Sequence, residues 1–353
     1  MPADTDLLEP DQLAGTPHPR EQTAFFGHGE AEAAFLDALA AGRLHHAWLI
    51  GGTEGIGKAT LAYRVARFLL AHGGAAPAGR TTLAVDPTHP AARQVAARSH
   101  PDLAIVRRGL RKDGKGYSQE IAVDHVRRAL DLFASTAGQG GYRICIVDAA
   151  DDLNPSSGNA LLKVIEEPPP RSIFLVVSHA PQRLLPTIRS RCRKLWLRPL
   201  GDADLAAVIR SLGPPLADTA DADLTRAIGF AEGSVRRAVT LLDADKSGIV
   251  ADTKALLDEL PRLDMKRVVR LAEKVSPRGT EGDLELALDT AMAWVSKGLE
   301  ARANAGAARL APLVEVCEKV TRAAREAELY NLDKRPVVIS LFGDLADAIR
   351  RTG

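Results

Sequence analysis

The sequence predicts an α/β domain on a mainly parallel sheet, followed by a half that is entirely helical. Three observations predict it. Short apolar runs alternate with segments of helical period as far as residue 200. A glycine-rich loop stands between one such run and a helix. Beyond Pro199 only the helical period continues. Strands alternating with helices call for a sheet covered on both faces.

The elements follow in order. Residues 30–41 carry apolar side chains at helical spacing, and 47–50 form a buried strand entering a glycine turn. Residues 58–71 place Leu61, Val65, Phe68 and Leu69 on one helix face. Residues 73–100 are a Gly/Ala/Pro-rich connector. A second strand is predicted over 102–106, a helix over 124–137 and a third strand over 142–147, ending at Asp148. Asn154 followed by Pro155 is a helix start, with a side-chain cap and proline at the first helical position. That helix stops at Pro168-Pro169-Pro170. Strands follow at 172–178 and 194–197. Short helices are expected at 202–211, 224–228 and 234–242, a polar turn at 243–248, and longer helices at 284–301 and 307–329.

A length of 353 residues suits two or three domains. The expected layout is a mobile tail over 1–22, the α/β core over 23–199, a small helical unit over 200–246 and a helical domain over 247–353. A formal net charge of +1 gives no global attraction to nucleic acid or membrane. The apolar run at 173–177 is strand-sized, and no run reaches the length of a membrane span. Residues 1–22 lack the apolar stretch of a secretory signal. Cys145, Cys192 and Cys317 are widely spaced, which fits a reducing cytoplasm and neither a disulfide framework nor a cysteine-rich zinc site.

The loop Gly52-Thr53-Glu54-Gly55-Ile56-Gly57-Lys58-Ala59-Thr60 matches a phosphate-binding Walker A motif up to its last position. Gly52, Gly55, Gly57 and Lys58 supply the cradle. The Ser or Thr hydroxyl that should hold Mg²⁺ is replaced by the methyl of Ala59. Thr60 is one residue late, and one helical step turns a side chain by about 100°. Asp148 ends an apolar strand, the position of the second magnesium ligand, although a cap or turn residue fits equally. Ala149 and Ala150 follow it where a water-activating Glu would be expected, and Asp151 and Asp152 come too late. Hydrolysis is therefore not expected, while ATP and Mg²⁺ binding are left open and no cofactor is required.

A longer constellation carries a resemblance. Asn159-Ala160-Leu161-Leu162-Lys163-Val164-Ile165-Glu166-Glu167-Pro168-Pro169 precedes Ser190-Arg191-Cys192. His46-Ala47-Trp48-Leu49, His100-Pro101-Asp102 and Gly141-Tyr142-Arg143 accompany them. Together they resemble the bacterial DNA polymerase III clamp-loader subunits over roughly residues 24–200, and the helical remainder resembles them in layout. Loss of chemistry at Ala59 and Ala149 with SRC retained resembles the delta-prime kind. The resemblance implies a P-loop domain of the AAA+ type, a helical lid and a C-terminal helical collar. It implies a non-hydrolysing member of an ATPase ring, with gamma/tau and delta subunits as partners. The sliding clamp and primer-template DNA would be met through the complex, with no membrane partner.

Under the same resemblance Arg191 is an arginine finger for a neighbour's ATP site, where planar forked donors matter. Ser190 and Cys192 would shape its turn. Gly233-Ser234-Val235-Arg236 resembles a sensor 2 segment, with Arg236 as the candidate, and Ser178 occupies a sensor 1 position. A solvated helix end is the alternative for Arg236. No zinc is expected: residues 73–100 hold no cysteine, and His89 and His100 alone do not make a site. Arg107, Arg108, Arg111, Lys112 and Lys115 form a basic run, read as a solvated hairpin tip with DNA phosphate contact as the alternative. Two rival functions remain at this stage: an active ATPase, and a scaffold with no catalytic arginine.

Overall fold

The computed structural model describes residues 8–73, 79–111, 113–134, 141–277, 282–301, 307–330 and 332–352. The chain divides into two compact units, Met1–Val239 and Thr240–Gly353.

The first unit is built on five strands: β1 (Ala47–Gly51), β2 (Leu103–Val106), β3 (Arg143–Val147), β4 (Ser172–Ser178) and β5 (Arg193–Trp196). Their spatial order is β2-β3-β4-β1-β5, and every neighbouring pair is parallel. Ala47 pairs with Phe174 and Gly51 with Ser178, so β1 and β4 end level. β1, β3 and β4 are buried along their whole length. Strands covered on both faces read as continuous apolar runs, which is why the sequence shows no alternation there.

Alternate strand residues nevertheless serve two separate cores. Trp48, Ile50, Ile144, Ile146, Leu175 and Val177 pack with α1 (Gly29–Ala40) and α2 (Lys58–His72). Leu49, Cys145, Val147, Phe174 and Val176 pack with α4 (Val123–Leu130), α5 (Pro155–Glu166) and α6 (Pro186–Arg191). Asn154 caps α5 as its sequence suggests, accepting from the Ser157 N–H at 3.0 Å, with Pro155 next. The connector contains α3 (Pro90–Ala96), capped by His89, whose ring nitrogen accepts from the Ala91 N–H at 3.2 Å. The fourth helix is shorter than its pattern: Leu130 leads into a 3₁₀ turn, Asp131–Ala134, and 135–137 lie outside the described residues. Helices α7 (Asp202–Ser211), α8 (Asp221–Ala231) and α9 (Val235–Leu241) follow the sheet.

The expected mobile tail does not hold for its described part, residues 8–22. His18 and Arg20 are buried. Arg67 of α2, itself buried, donates to the Arg20 carbonyl at 2.6 Å and the Gln22 carbonyl at 2.5 Å. The neighbouring Arg64 donates to the Thr23 carbonyl at 2.7 Å and to Glu32 at 2.6 Å. Polar residues carry no periodicity, so a segment fastened through its backbone carbonyls leaves no signature in sequence.

The second unit contains α10 (Ala244–Asp258), α11 (Met265–Lys274), α12 (Asp283–Ala301), α13 (Ala307–Leu329) and α14 (Arg335–Thr352). Residues 243–248, expected as a turn, instead open α10: Asp243 accepts from the N–H groups of Asp245 and Lys246. Its polar character is that of a cap and first turn. Val338, Leu341, Phe342 and Leu345 put the apolar face of α14 into this unit's core, with α11 and α13 packed against it. Among the described residues no helix is long and apolar enough to cross a membrane.

Phe342 is completely buried and Val314 is exposed. Phe342→Ala is therefore expected to destabilise the second unit by about 3–5 kcal/mol in urea unfolding, and Val314→Ala by less than about 0.5 kcal/mol.

Candidate functional site

A cavity of about 360 Å³ opens beyond the carboxyl ends of the central strands, the usual ligand position in an open parallel sheet. Its wall includes Gly55, Gly57, Lys58, Ala59, Thr60 and Asp148. Gly57 caps α2 with φ of 99°, a left-handed conformation in which a side chain would be strained. Gly55 is required by proximity. A Cβ there would lie 2.4 Å from the Ser234 hydroxyl and 2.6 Å from the Arg236 Cβ. The start of α9 thus rests directly on the loop, with Val235 N–H donating to the Gly55 carbonyl at 2.9 Å and the Ser234 hydroxyl to Glu54 O at 2.8 Å.

Lys58 is buried and donates to the Gly52 carbonyl at 2.8 Å and to the Thr53 carbonyl. Burial pushes its pKa down to about 8, against the raising effect of Asp148, Glu54 and Asp151. Asp148 is buried and its Oδ2 has no hydrogen-bond partner among the described residues. Burial, with Asp11 adding to it and Lys58 opposing, raises its pKa to about 7.

The cradle fits a phosphate group: glycine backbone, a helix N-terminus and a lysine converge on one space. The magnesium position does not fit. Ala59 and Ala149 both line the cavity with methyl groups, and burial makes the Asp148 carboxyl hold its proton more tightly than an ordinary aspartate. Thr60 also lines the cavity, one helical step from the position it would have to fill.

The remaining candidates separate. Arg236 lines the cavity and pairs with Glu54 at 3.1 Å. Ser178 is fully buried and donates to Asp151 at 2.9 Å. Asp151 also accepts from the N–H groups of His179 and Ala180, at 2.7 and 2.8 Å. It therefore fastens the end of β4. Val177 and His179 line the cavity there, and burial and Lys58 lower the His179 pKa.

Arg191 does not line this cavity. It ends α6, about two-fifths exposed, paired with Glu166 at 2.8 Å and donating to the Thr187 carbonyl at 3.3 Å. Ser190 donates to the same carbonyl at 3.0 Å. Cys192 is buried and its thiol is pushed up to about 12, so it shapes the turn and is no nucleophile. In the basic run, Arg107 pairs with Glu9 and Asp11, Arg108 with Asp152 at 3.1 Å, and Arg111 with Asp113 at 2.9 Å. A solvated tip describes only Arg111 and Lys115, and Lys112 lies outside the described residues.

Sequence reasoning missed three participants. Asp151 was set aside as too late on the loop. His28, whose Nε2 lies 2.7 Å from the Ile56 carbonyl and steadies the loop, had no signal beyond its type. The third is the stretch containing Pro10, Asp11 and Pro17, which also lines the cavity.

Comparison with known proteins bears on this site. Residues 27–201 match the family described as DNA polymerase III, delta subunit. Over those residues, just under half of the chain, it is similar to clamp-loader AAA+ proteins of the delta-prime kind. It is 36% identical over 147 residues to DNA polymerase III subunit delta' of Pseudomonas aeruginosa, covering 42% of this chain and 41% of that one. Against subunit delta' of Escherichia coli it is 36% identical over 160 residues, covering 45% and 44%. The match thus spans less than half the length of these relatives. Subunit gamma of Buchnera aphidicola (strain APS) is 27% identical over 273 residues, covering 72% of each chain. The chain is thus similar to both delta' and gamma subunits of DNA polymerase III.

The Asp148 proton makes stability depend on pH. Its folded pKa of about 7 exceeds the ordinary 3.8. Between those values the native chain holds a proton that the unfolded chain has released. Stability from this group is complete below about pH 4 and is lost as pH rises through 7, by at most about 1.4 kcal/mol per pH unit. Asp148→Asn is expected to gain on the parent by at least about 1 kcal/mol between pH 5 and 7.5, measured by urea midpoints.

Proposed function

We propose that this chain is the non-hydrolysing, delta-prime-type subunit of a DNA polymerase III clamp loader, and that Arg191 acts in trans at the ATP site of an adjacent gamma/tau-type subunit. The observation that carries the reading is a separation within one unit. The chain's own cavity presents Ala59 and Ala149 where magnesium and water chemistry would be needed, while Arg191 stands exposed outside that cavity. The ion pair with Glu166 is a surface pair, worth at most about 1 kcal/mol, so the guanidinium can exchange that carboxylate for a phosphate. Its bond to the Thr187 carbonyl leaves the fork directed from a short, proline-started helix.

In this reading α7 to α9 form the lid, and the Ser234–Arg236 turn reports contact with the loop, with Arg236 as the sensor 2 residue. Residues 247–353 supply the collar that joins delta and gamma/tau neighbours. The complex, working in the cytoplasm, loads the sliding clamp on primed DNA. Ser178 serves the β4 end through Asp151.

The first test is steady-state ATP hydrolysis by the purified chain with Mg²⁺ and primed DNA. No turnover is expected. Turnover abolished by Lys58→Ala would make this chain a motor, with Thr60 as the replacement ligand, and would sink the reading. The second test is Arg191→Ala in a reconstituted complex. Assembly should persist and ATPase rate fall by about 10³-fold, the lower end known for such fingers. Arg191→Lys should not restore it, since an ammonium lacks the fork. A loss under about threefold would leave a scaffold without a catalytic arginine.

A further inference from the structure

The N-terminal stretch 9–18 occupies a position that the clamp-loader reading does not use. Pro10, Asp11, Leu13, Thr16 and Pro17 line the same cavity as Gly57 and Lys58. The stretch is held at both ends. Asp11 pairs with Arg107 at 3.1 Å and with His18 at 3.0 Å, and Glu9 pairs with Arg20 at 2.8 Å and with Arg107. Beyond it, Arg67 of the phosphate-loop helix grips the carbonyls of Arg20 and Gln22.

The placement of charge matters more than the contacts alone. Arg107 directly follows β2, whose neighbour β3 leads into Asp148. It lies outside the cavity wall, next to Arg108, which lines it, and both its carboxylate partners come from this stretch. Arg108 is likewise matched by Asp152. Asp11 lies near enough to Asp148 to hold that carboxyl toward its protonated form. A polyphosphate entering the cradle would meet Asp11, Glu54 and Asp152 in the wall and would find the lining arginines, Arg108 and Arg236, already paired with Asp152 and Glu54.

We propose that residues 9–18 are an intramolecular occupant of the nucleotide cavity, with the Asp11 carboxylate in the cavity wall near the phosphate loop and Glu9 anchoring the segment on Arg20 and Arg107, so that the segment competes with nucleoside di- and triphosphates. The inference rests on the cavity's geometry and is independent of what Arg191 does in a complex.

The test uses the full-length chain and titrates ADP and ATP, with and without Mg²⁺, by calorimetry. The double variant Glu9→Gln/Asp11→Asn keeps side-chain shape and removes both charges. It should bind ADP at least tenfold more tightly than the parent. Glu21→Gln, which removes a carboxylate half-exposed beside Arg20, should leave affinity unchanged. Equal affinity for parent and double variant overturns the proposal. So does equal tightening by Glu21→Gln, which would mean a diffuse charge effect. Should the double variant fail to fold, Asp11→Asn alone, which keeps Glu9 on Arg20 and Arg107, carries the same comparison with the same two outcomes.

Discussion

Burial of the middle of α2, Leu61 to Leu69, is the constraint on which the first unit depends. The helix begins at Lys58 and buries Leu61, Ala62, Tyr63, Val65, Ala66, Phe68 and Leu69 almost without exposure. A helix covered all round needs a layer on every side. The sheet supplies one through Trp48, Ile50 and Leu175. The other side carries Arg64 and Arg67, which cannot be left unpaired in an apolar interior. Backbone carbonyls of Arg20, Gln22 and Thr23, with Glu32, satisfy them. The price is that burial drives the Arg67 pKa down to about 10, with Arg64 adding like-charge repulsion. Those charges therefore determine where the N-terminal segment runs, and so what borders the cavity.

The same helix ties the site to the lid. Its N-terminal loop approaches α9 so closely that Gly55 has no room for a methyl group, and two hydrogen bonds cross between loop and turn. Any change in the loop must pass to Ser234 and Arg236. Asp151 links a different pair of elements. It leaves the turn after β3 and captures the last residues of β4, the strand that leads through a 3₁₀ turn toward α6. A carboxylate engaged by a hydroxyl and two N–H groups is rigid, which suits a support for the strand end and leaves little of it for chemistry.

Electrostatically the cavity is unlike a working magnesium site. Its central carboxyl, Asp148, is raised and its lysine lowered, both chiefly by burial. In a hydrolysing site a divalent ion would reverse the first tendency. Methyl groups at positions 59 and 149 remove the oxygen ligands and the base that would accompany such an ion. The loop keeps its geometry without the hydroxyl because glycine conformations and a buried helix are needed for packing, and the hydroxyl is not.

Sequence alone determined the parallel sheet, since buried strands and capped helices are local patterns: Asn154-Pro155 starts α5 and the β4 run is apolar throughout. It also shows Ala59 and Ala149 at the positions where the motif calls for a hydroxyl and a carboxylate, since these are fixed by spacing. It placed Arg191 by motif. Tertiary structure decided the rest. Only the fold shows that Arg191 lies outside its own chain's cavity, that Asp151 consumes Ser178, and that Glu9 and Asp11 reach Arg107 across nearly a hundred residues. Ion pairs at such separation depend on where the sheet carries each end, and polar segments held through backbone carbonyls have no periodicity to read.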